Sequence, residues 1–273
     1  MDFRSHLGRP LDLRHPPNLF IGAITLIVAG VAFVSWLQGA PGELVLAPVS
    51  AFLVWALLRE IDPDHEWSAL VGGAVAGAWE LTGKPSVSLF AVAGLMLAAR
   101  VITHTTGRRP LPTDLGFVAV VGIAIGFTVE GWLAGFGIAV AIYLDERFSG
   151  INRPIAIGAS AATAIGTTVL ASVTDAFPET VPDVIEYVAI AAGVGALLLI
   201  AREPAEPICQ VDARHAAFID KARLHVSRSM IGVLVFLMAI LTGAGAEGML
   251  IVIAALVIAV VANEIELVRR GNL

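Results

Sequence analysis

The stretch Trp55-Ala56-Leu57-Leu58-Arg59-Glu60-Ile61-Asp62-Pro63-Asp64-His65-Glu66-Trp67-Ser68-Ala69-Leu70 decides the fold. An apolar run that starts near residue 42 ends in the charged turn Arg59 to Glu66, and a second run, Trp67 to Gly83, begins at once. A hydrocarbon core about 30 Å thick needs about 20 apolar residues at about 1.5 Å each. Two membrane-crossing helices joined by a tight charged turn fit that pattern. The whole chain shares it: 57% of residues are hydrophobic, 15% are charged and the mean hydropathy is +0.84, far more apolar than a soluble domain of this size requires.

Working outward from the turn, ten apolar segments can be drawn, at 19–38, 42–58, 66–83, 86–103, 113–130, 132–144, 154–173, 184–201, 229–246 and 248–263. The expected fold is therefore all-α, a polytopic membrane protein of about ten transmembrane helices arranged as five helical hairpins. Residues 1–18 form a cytosolic segment, 19–201 an eight-helix bundle, 202–228 a cytosolic loop, 229–264 a last hairpin and 265–273 a tail. The first eighteen residues carry Arg4, Arg9 and Arg14 without an apolar core, so no cleavable signal is expected.

Charge gives an independent check, because basic residues in short loops stay cytosolic. With both termini inside, every one of the 17 basic residues except Lys84 falls on the cytosolic side, as do all six histidines. Moving the count by one helix would scramble that segregation. The location expected is a plasma or inner membrane. The outer loops hold Glu43, Glu80, Glu130, Asp175, Glu179, Asp183, Glu186 and Glu247 against Lys84 alone. Such an acidic face concentrates cations, or simply fills the side from which bases are excluded. The lone Cys209 rules out a disulfide framework or a cysteine metal site.

Small residues are dense on the third, fifth and seventh segments, at Gly72, Gly73, Gly77, Gly116, Gly122, Gly126, Gly158 and Gly166. Helices in lipid associate by close packing of such faces, which places these three at the bundle centre and the last two segments at its rim. Counting along the helices sets Glu80 and Glu130 near the outer edge of the hydrocarbon, where ionisable groups are costly. Either both reach outer headgroups, or they face inward and bind a cation or relay protons. Ser160, Thr163 and Thr167 fall on one face of the seventh segment. Their hydroxyls line a polar path or bond back to the carbonyl one turn earlier.

The inner turns gather Asp62, Asp64, His65, Asp145 and Glu146. Oxygen and imidazole ligands suit a divalent metal held against a phosphorylated lipid, and the same acids serve as caps and ion-pair partners. Arg59-Glu60-Ile61-Asp62 is similar to part of the aspartate-rich signature of the aromatic prenyltransferase family of intramembrane enzymes, and Arg109-Pro110-Leu111-Pro112 and Asn152-Arg153-Pro154 look like the Arg-Pro element that follows it. In that family the two elements share one loop. Here a complete hairpin separates Asp62 from Arg109, and the second aspartate-rich repeat is reduced to Asp145-Glu146. The resemblance covers about a dozen residues of 273 and does not assign the chain to the family.

Between residues 212 and 226 no proline or glycine interrupts the chain. A short helix on the inner leaflet is expected there, with Arg214, Lys221 and Arg223 toward anionic headgroups. The function expected first is a small-solute permease or ion-coupled carrier with a path between helices 3, 5 and 7. The alternatives are a metal-dependent enzyme on a lipid or isoprenoid phosphate, and a non-catalytic membrane subunit. Partners are the lipid bilayer and a small solute or cation; a homo-oligomer is compatible and nucleic acid is not expected. No cofactor is implied, save Mg2+ or another divalent cation for the enzyme.

Overall fold

The structure, a computed structural model, describes residues 6–8, 11–83, 88–106, 108–129, 131–150, 153–176, 219–241 and 257. Every regular element among them is helical. In chain order these are α1 (Pro16–Leu37), a 3-10 turn at Gly42–Leu46 that leads into α2 (Ala47–Ile61), α3 (Glu66–Glu80), α4 (Leu89–Thr103), α5 (Pro112–Ala124), α6 (Gly131–Ser149), α7 (Arg153–Val173) and α8 (Lys221–Leu241). The expected eighth segment and all but residue 257 of the tenth lie outside the described residues.

Among the described residues, three helical stretches are long and apolar enough to cross a membrane: Pro16–Leu37, Gly42–Ile61 and Arg153–Val173. The first and third bury only 17% and 22% of their apolar windows, against 67% for the second. Their outer faces carry Leu26, Ile27, Leu37, Ile165 and Val173 in the open, a band far larger than water tolerates. α3 and α4 are shorter than expected, 15 residues each, or about 22 Å. α6 is longer, running 19 residues to Ser149, so the thirteen-residue segment drawn at 132–144 undercounts it.

Local chemistry sets the helix ends. Pro16, Pro112 and Pro154 stand in the first helical turns, where a missing amide hydrogen is harmless. At α5 the N-cap position is Leu111, and the Asp114 Oδ2 in the first turn accepts from its amide at 3.0 Å. Neither Asp62 nor Asp64 caps α3; the N-cap position is His65, with no side-chain cap bond. Asp220 caps α8 by accepting from the Ala222 amide at 2.8 Å.

Of the expected hairpins, α1 packs on α2 and α5 on α6. α2 pairs most closely with α3, and α6 with α4 and then with α7, while α3 and α4 share little contact. α1, α2 and α3 pack as one group of three, and α5, α6 and α7 as another, with α4 between α2 and α6 and α8 against α4 and α6. The two groups open alike, with Pro16-Pro17-Asn18-Leu19 in α1 and Pro112-Thr113-Asp114-Leu115 in α5. They also turn alike, through Arg59-Glu60 and Asp145-Glu146.

The centre belongs to the even helices. Val54, Leu57, Leu95, Ile102, Ile138 and Ile142 are fully buried, and they come from α2, α4 and α6. The small residues of the odd helices instead mark where those helices dock onto the centre. A Cβ at Gly73 would stand 2.7 Å from the Ala51 carbonyl oxygen, and one at Gly122 would stand 3.1 Å from Ile138 Cγ2. α8, expected at the rim, buries Ile231 and Met238 completely, because it fills the seam beside α4 and α6.

Candidate functional site

The starts of α1, α3, α5 and α8 and the ends of α2, α4 and α6 meet at one end of the bundle, and there the charges are buried rather than solvated. Arg59, Glu60, Asp114, Asp145, Glu146, Arg223 and Arg228 are each at most 9% exposed. Desolvating an ion costs several kcal/mol, roughly, which only a well-placed partner and further hydrogen bonds offset. Those partners are present, and most come from a different helix.

In the first group, Arg59 Nη1 donates to Asn18 Oδ1 of α1 at 2.7 Å, and its Nη2 pairs with Glu66 of α3. His15 Nε2 meets the same Glu66 carboxylate at 2.5 Å. The Arg59 guanidinium also lies 5.1 Å from the centre of the Trp55 ring, a cation–π contact. Glu60 turns the other way, accepting from Arg100 Nε of α4 at 2.6 Å and from the Thr105 hydroxyl.

In the second group, Asp145 Oδ1 faces His104 Nε2 at 2.8 Å and accepts from Arg223 Nη1 at 2.7 Å. Arg223 also donates to the Ile102 carbonyl at 2.9 Å and to Ser149 Oγ at 2.6 Å. Glu146 Oε2 accepts from Arg109 Nη2 at 3.2 Å. Five residues along α8 from Arg223, Arg228 donates to the Ile61 carbonyl at 2.7 Å and to Asp62 Oδ1 at 3.1 Å. α8 therefore binds the ends of α2, α4 and α6 through two buried guanidinium groups.

Asp145 lies just past the apolar stretch of α6. Burial pushes its carboxyl up, but hydrogen bonds and positive charge from His104 and Arg223 outweigh that, leaving it below the ordinary carboxylate range. A lowered folded pKa adds stability that is complete above the unfolded value, about 3.9, and disappears as pH falls through the folded value. Thermal unfolding in detergent should thus be insensitive to this group above about pH 5 and lose its contribution below about pH 4. Asp145→Asn should flatten that acid slope, and an unchanged slope would contradict the assignment.

The expected site residues are dispersed. Asp62 is held by His65 Nδ1 at 2.9 Å as well as by Arg228. Asp62 and Asp145 share one end of the bundle, but guanidinium groups occupy their oxygens where the enzyme reading places Mg2+. Among the described residues no three His, Cys, Asp or Glu side chains converge as a ligand set. Glu80, at the opposite end, is 3% exposed and accepts from Ser50 Oγ at 2.9 Å, so it faces α2 rather than outer headgroups. Glu130 and Arg214 lie outside the described residues.

The hydroxyls of α7 take both fates. Thr163 bonds back to the Ala159 carbonyl at 2.8 Å. Ser160 crosses to the Ala139 carbonyl at 2.8 Å and Thr167 to the Gly122 carbonyl at 3.0 Å, so they tie α7 to α6 and α5. α3 shares little contact with α5 or α7, the helices expected to share a path with it. Lys221 is exposed as expected, whereas Arg223 is buried and no headgroup contact is open to it. The residues that sequence reasoning missed are Arg100 and Arg228. The only signal for them was their shared side. No family model, curated protein or solved structure matches the chain.

Proposed function

We propose that the protein is an integral membrane carrier for a small solute or cation, with about ten spans and both termini cytosolic, in which the buried ionic layer is an inner gate in its closed state. The observation that carries this reading is that the ion pairs join different helices. Arg59 ties α2 to α1 and α3, Glu60 ties α2 to α4, and Arg223 and Arg228 tie α8 to α6 and to the end of α2. Contacts of this kind can be exchanged when helix groups rock against each other, leaving the backbone hydrogen bonds within each helix intact. Two like groups of helices flanking α4 suit such rocking. The route then runs between the groups, along α4 and α8, rather than between helices 3, 5 and 7. Glu80, buried beside Ser50, is an ionisable group held within the bundle on the outer side.

The test is ion flux in proteoliposomes, using a trapped pH dye for protons and radioactive sodium for cations. Wild-type protein should conduct above empty vesicles, and Glu80→Gln should reduce the flux by about tenfold, equivalent to about 1.4 kcal/mol on the barrier, with unchanged elution and melting. Flux that is identical in loaded and empty vesicles, or unaffected by the substitution, argues for the non-catalytic subunit instead.

A further inference from the structure

Residues 6–8 precede the first helix, yet the Leu7 side chain lies inside the bundle. It is 5% exposed and belongs to the same apolar cluster as the central helices. The His6 amide donates to Asp114 Oδ2 at the start of α5 at 3.0 Å, and His6 Nδ1 donates to the Arg109 carbonyl at 2.8 Å. A carbonyl only accepts, so the ring carries a proton on that nitrogen. The His6 carbonyl accepts from the Thr106 hydroxyl at 2.5 Å, and the Leu7 carbonyl accepts from Arg100 Nη1 at 3.4 Å. Residues 6 and 7 are thus pinned to the end of α4, the start of α5 and the turn between them.

A few residues on, the chain is pinned to the other helix group. The Asp12 carbonyl accepts from Asn18 Nδ2 of α1 at 2.9 Å, and Asn18 Oδ1 accepts from Arg59 of α2 at 2.7 Å. From Leu7 to Asp12 is five residues, which reach about 18 Å at most when fully extended. A tether of that length limits how far α4 and α5 can move from α1, α2 and α3 while both anchors hold. Arg100, which holds the Leu7 carbonyl, also pairs with Glu60 of α2, so the tether ends on a member of the ionic layer. The two anchors are unequal. One is continuous with the 22 residues of α1, whereas the other consists of one leucine and four hydrogen bonds, so it can open locally while every helix stays folded.

We infer that residues 6–8 are a latch, which clamps the two helix groups together at the inner end when Leu7 is seated and lets them part when Leu7 leaves. That the latch controls flux rests on the carrier reading; that it closes the inner end does not. Its test is therefore one of accessibility.

Thr103 sits between Arg100 and Thr106 at a spacing of three residues, is 2% exposed, and bonds back to the Ala99 carbonyl. Thr163, on α7, is 0% exposed and bonds back to the Ala159 carbonyl in the same way. In full-length protein carrying Cys209→Ser, Thr103→Cys and Thr163→Cys are made separately, and their reaction with a soluble maleimide is timed in detergent. Thr103→Cys should react faster than Thr163→Cys when residues 6–8 are native. Leu7→Ala should speed it by at least about tenfold and leave Thr163→Cys unchanged. Leu13→Ala, at a leucine that is 57% exposed, should alter neither. Thr106→Val removes the hydroxyl that holds His6 and should accelerate Thr103→Cys in the same direction, which decides the matter if Leu7→Ala does not fold. Equal rates for Leu7→Ala and Leu13→Ala overturn the latch. Equal acceleration of both cysteines does so too, because the whole bundle would then have loosened. Accelerated labelling of Thr103→Cys alone, with flux unchanged by Leu7→Ala, upholds the latch and counts against the carrier reading.

Discussion

Arg223→Ala is expected to destabilise the protein by about 3–5 kcal/mol, the usual result of removing one partner from a buried ion pair. The guanidinium satisfies the Asp145 carboxylate, the Ile102 carbonyl and Ser149 at once, and Asp145 is 1% exposed. Truncation leaves that carboxylate inside the bundle with His104 and the Ser149 hydroxyl as its close partners and Arg109 Nε at 3.8 Å. The loss should appear as a lower melting temperature and a lower denaturant midpoint in detergent, followed by tryptophan fluorescence. Arg223→Met combined with Asp145→Leu should recover most of the stability, because two apolar side chains of similar size carry no desolvation cost. The double variant separates the pair's two roles. If the ionic layer is a gate, the variant folds yet loses flux; if the layer is only structural, it folds and conducts. A single-variant loss below about 1 kcal/mol, the level of an exposed pair, would mean the pair is not buried.

How much of this was legible in the sequence depends on the kind of information each feature needs. The helical class and the gathering of charges on one side follow from hydropathy and arginine spacing, which are local. Depth is not local. Arg223 and Arg147 look alike in a tally of cytosolic bases though one is buried and the other exposed, and nothing near Arg223 announces that Asp145, 78 positions away, will meet it. Within the described residues the reading of a surface helix gives way for that reason: the stretch from Lys221 continues into α8, and Arg223, expected to face headgroups, faces Asp145. Asp220 as an N-cap was the available clue to the true start. Glycine density was read correctly as close packing but assigned to the wrong place, since a small face shows that a neighbour comes near without showing which helix stands at the centre. The α7 hydroxyls divide on the same line. Thr163 keeps the local bond that sequence offers, and Thr167 takes a carbonyl that only the fold supplies.

Gly135→Ala tests the docking of α5 and α7 onto α6 most severely. A Cβ at this position would lie 2.4 Å from the Gly122 carbonyl oxygen and 2.8 Å from both Cγ2 and Oγ1 of Thr167. The nearest of these is backbone and cannot rotate away. The same carbonyl accepts the Thr167 hydroxyl at 3.0 Å, so one added methyl group both overpacks the contact and displaces a buried hydrogen bond. Overpacking costs about 1–3 kcal/mol and the lost bond about 0.5–1.5 kcal/mol more. Gly158→Ala on α7, where nothing lies within 4 Å of the new atom, supplies the contrast and should change stability by less than about 0.5 kcal/mol. Adding Thr167→Ala to Gly135→Ala should restore only part of the loss, because it removes the side-chain clash and leaves the carbonyl in place. Equal melting temperatures for the two glycine variants would refute the packing of α6 against α5 and α7, and full rescue by Thr167→Ala would show that the side chain, not the backbone, sets the approach.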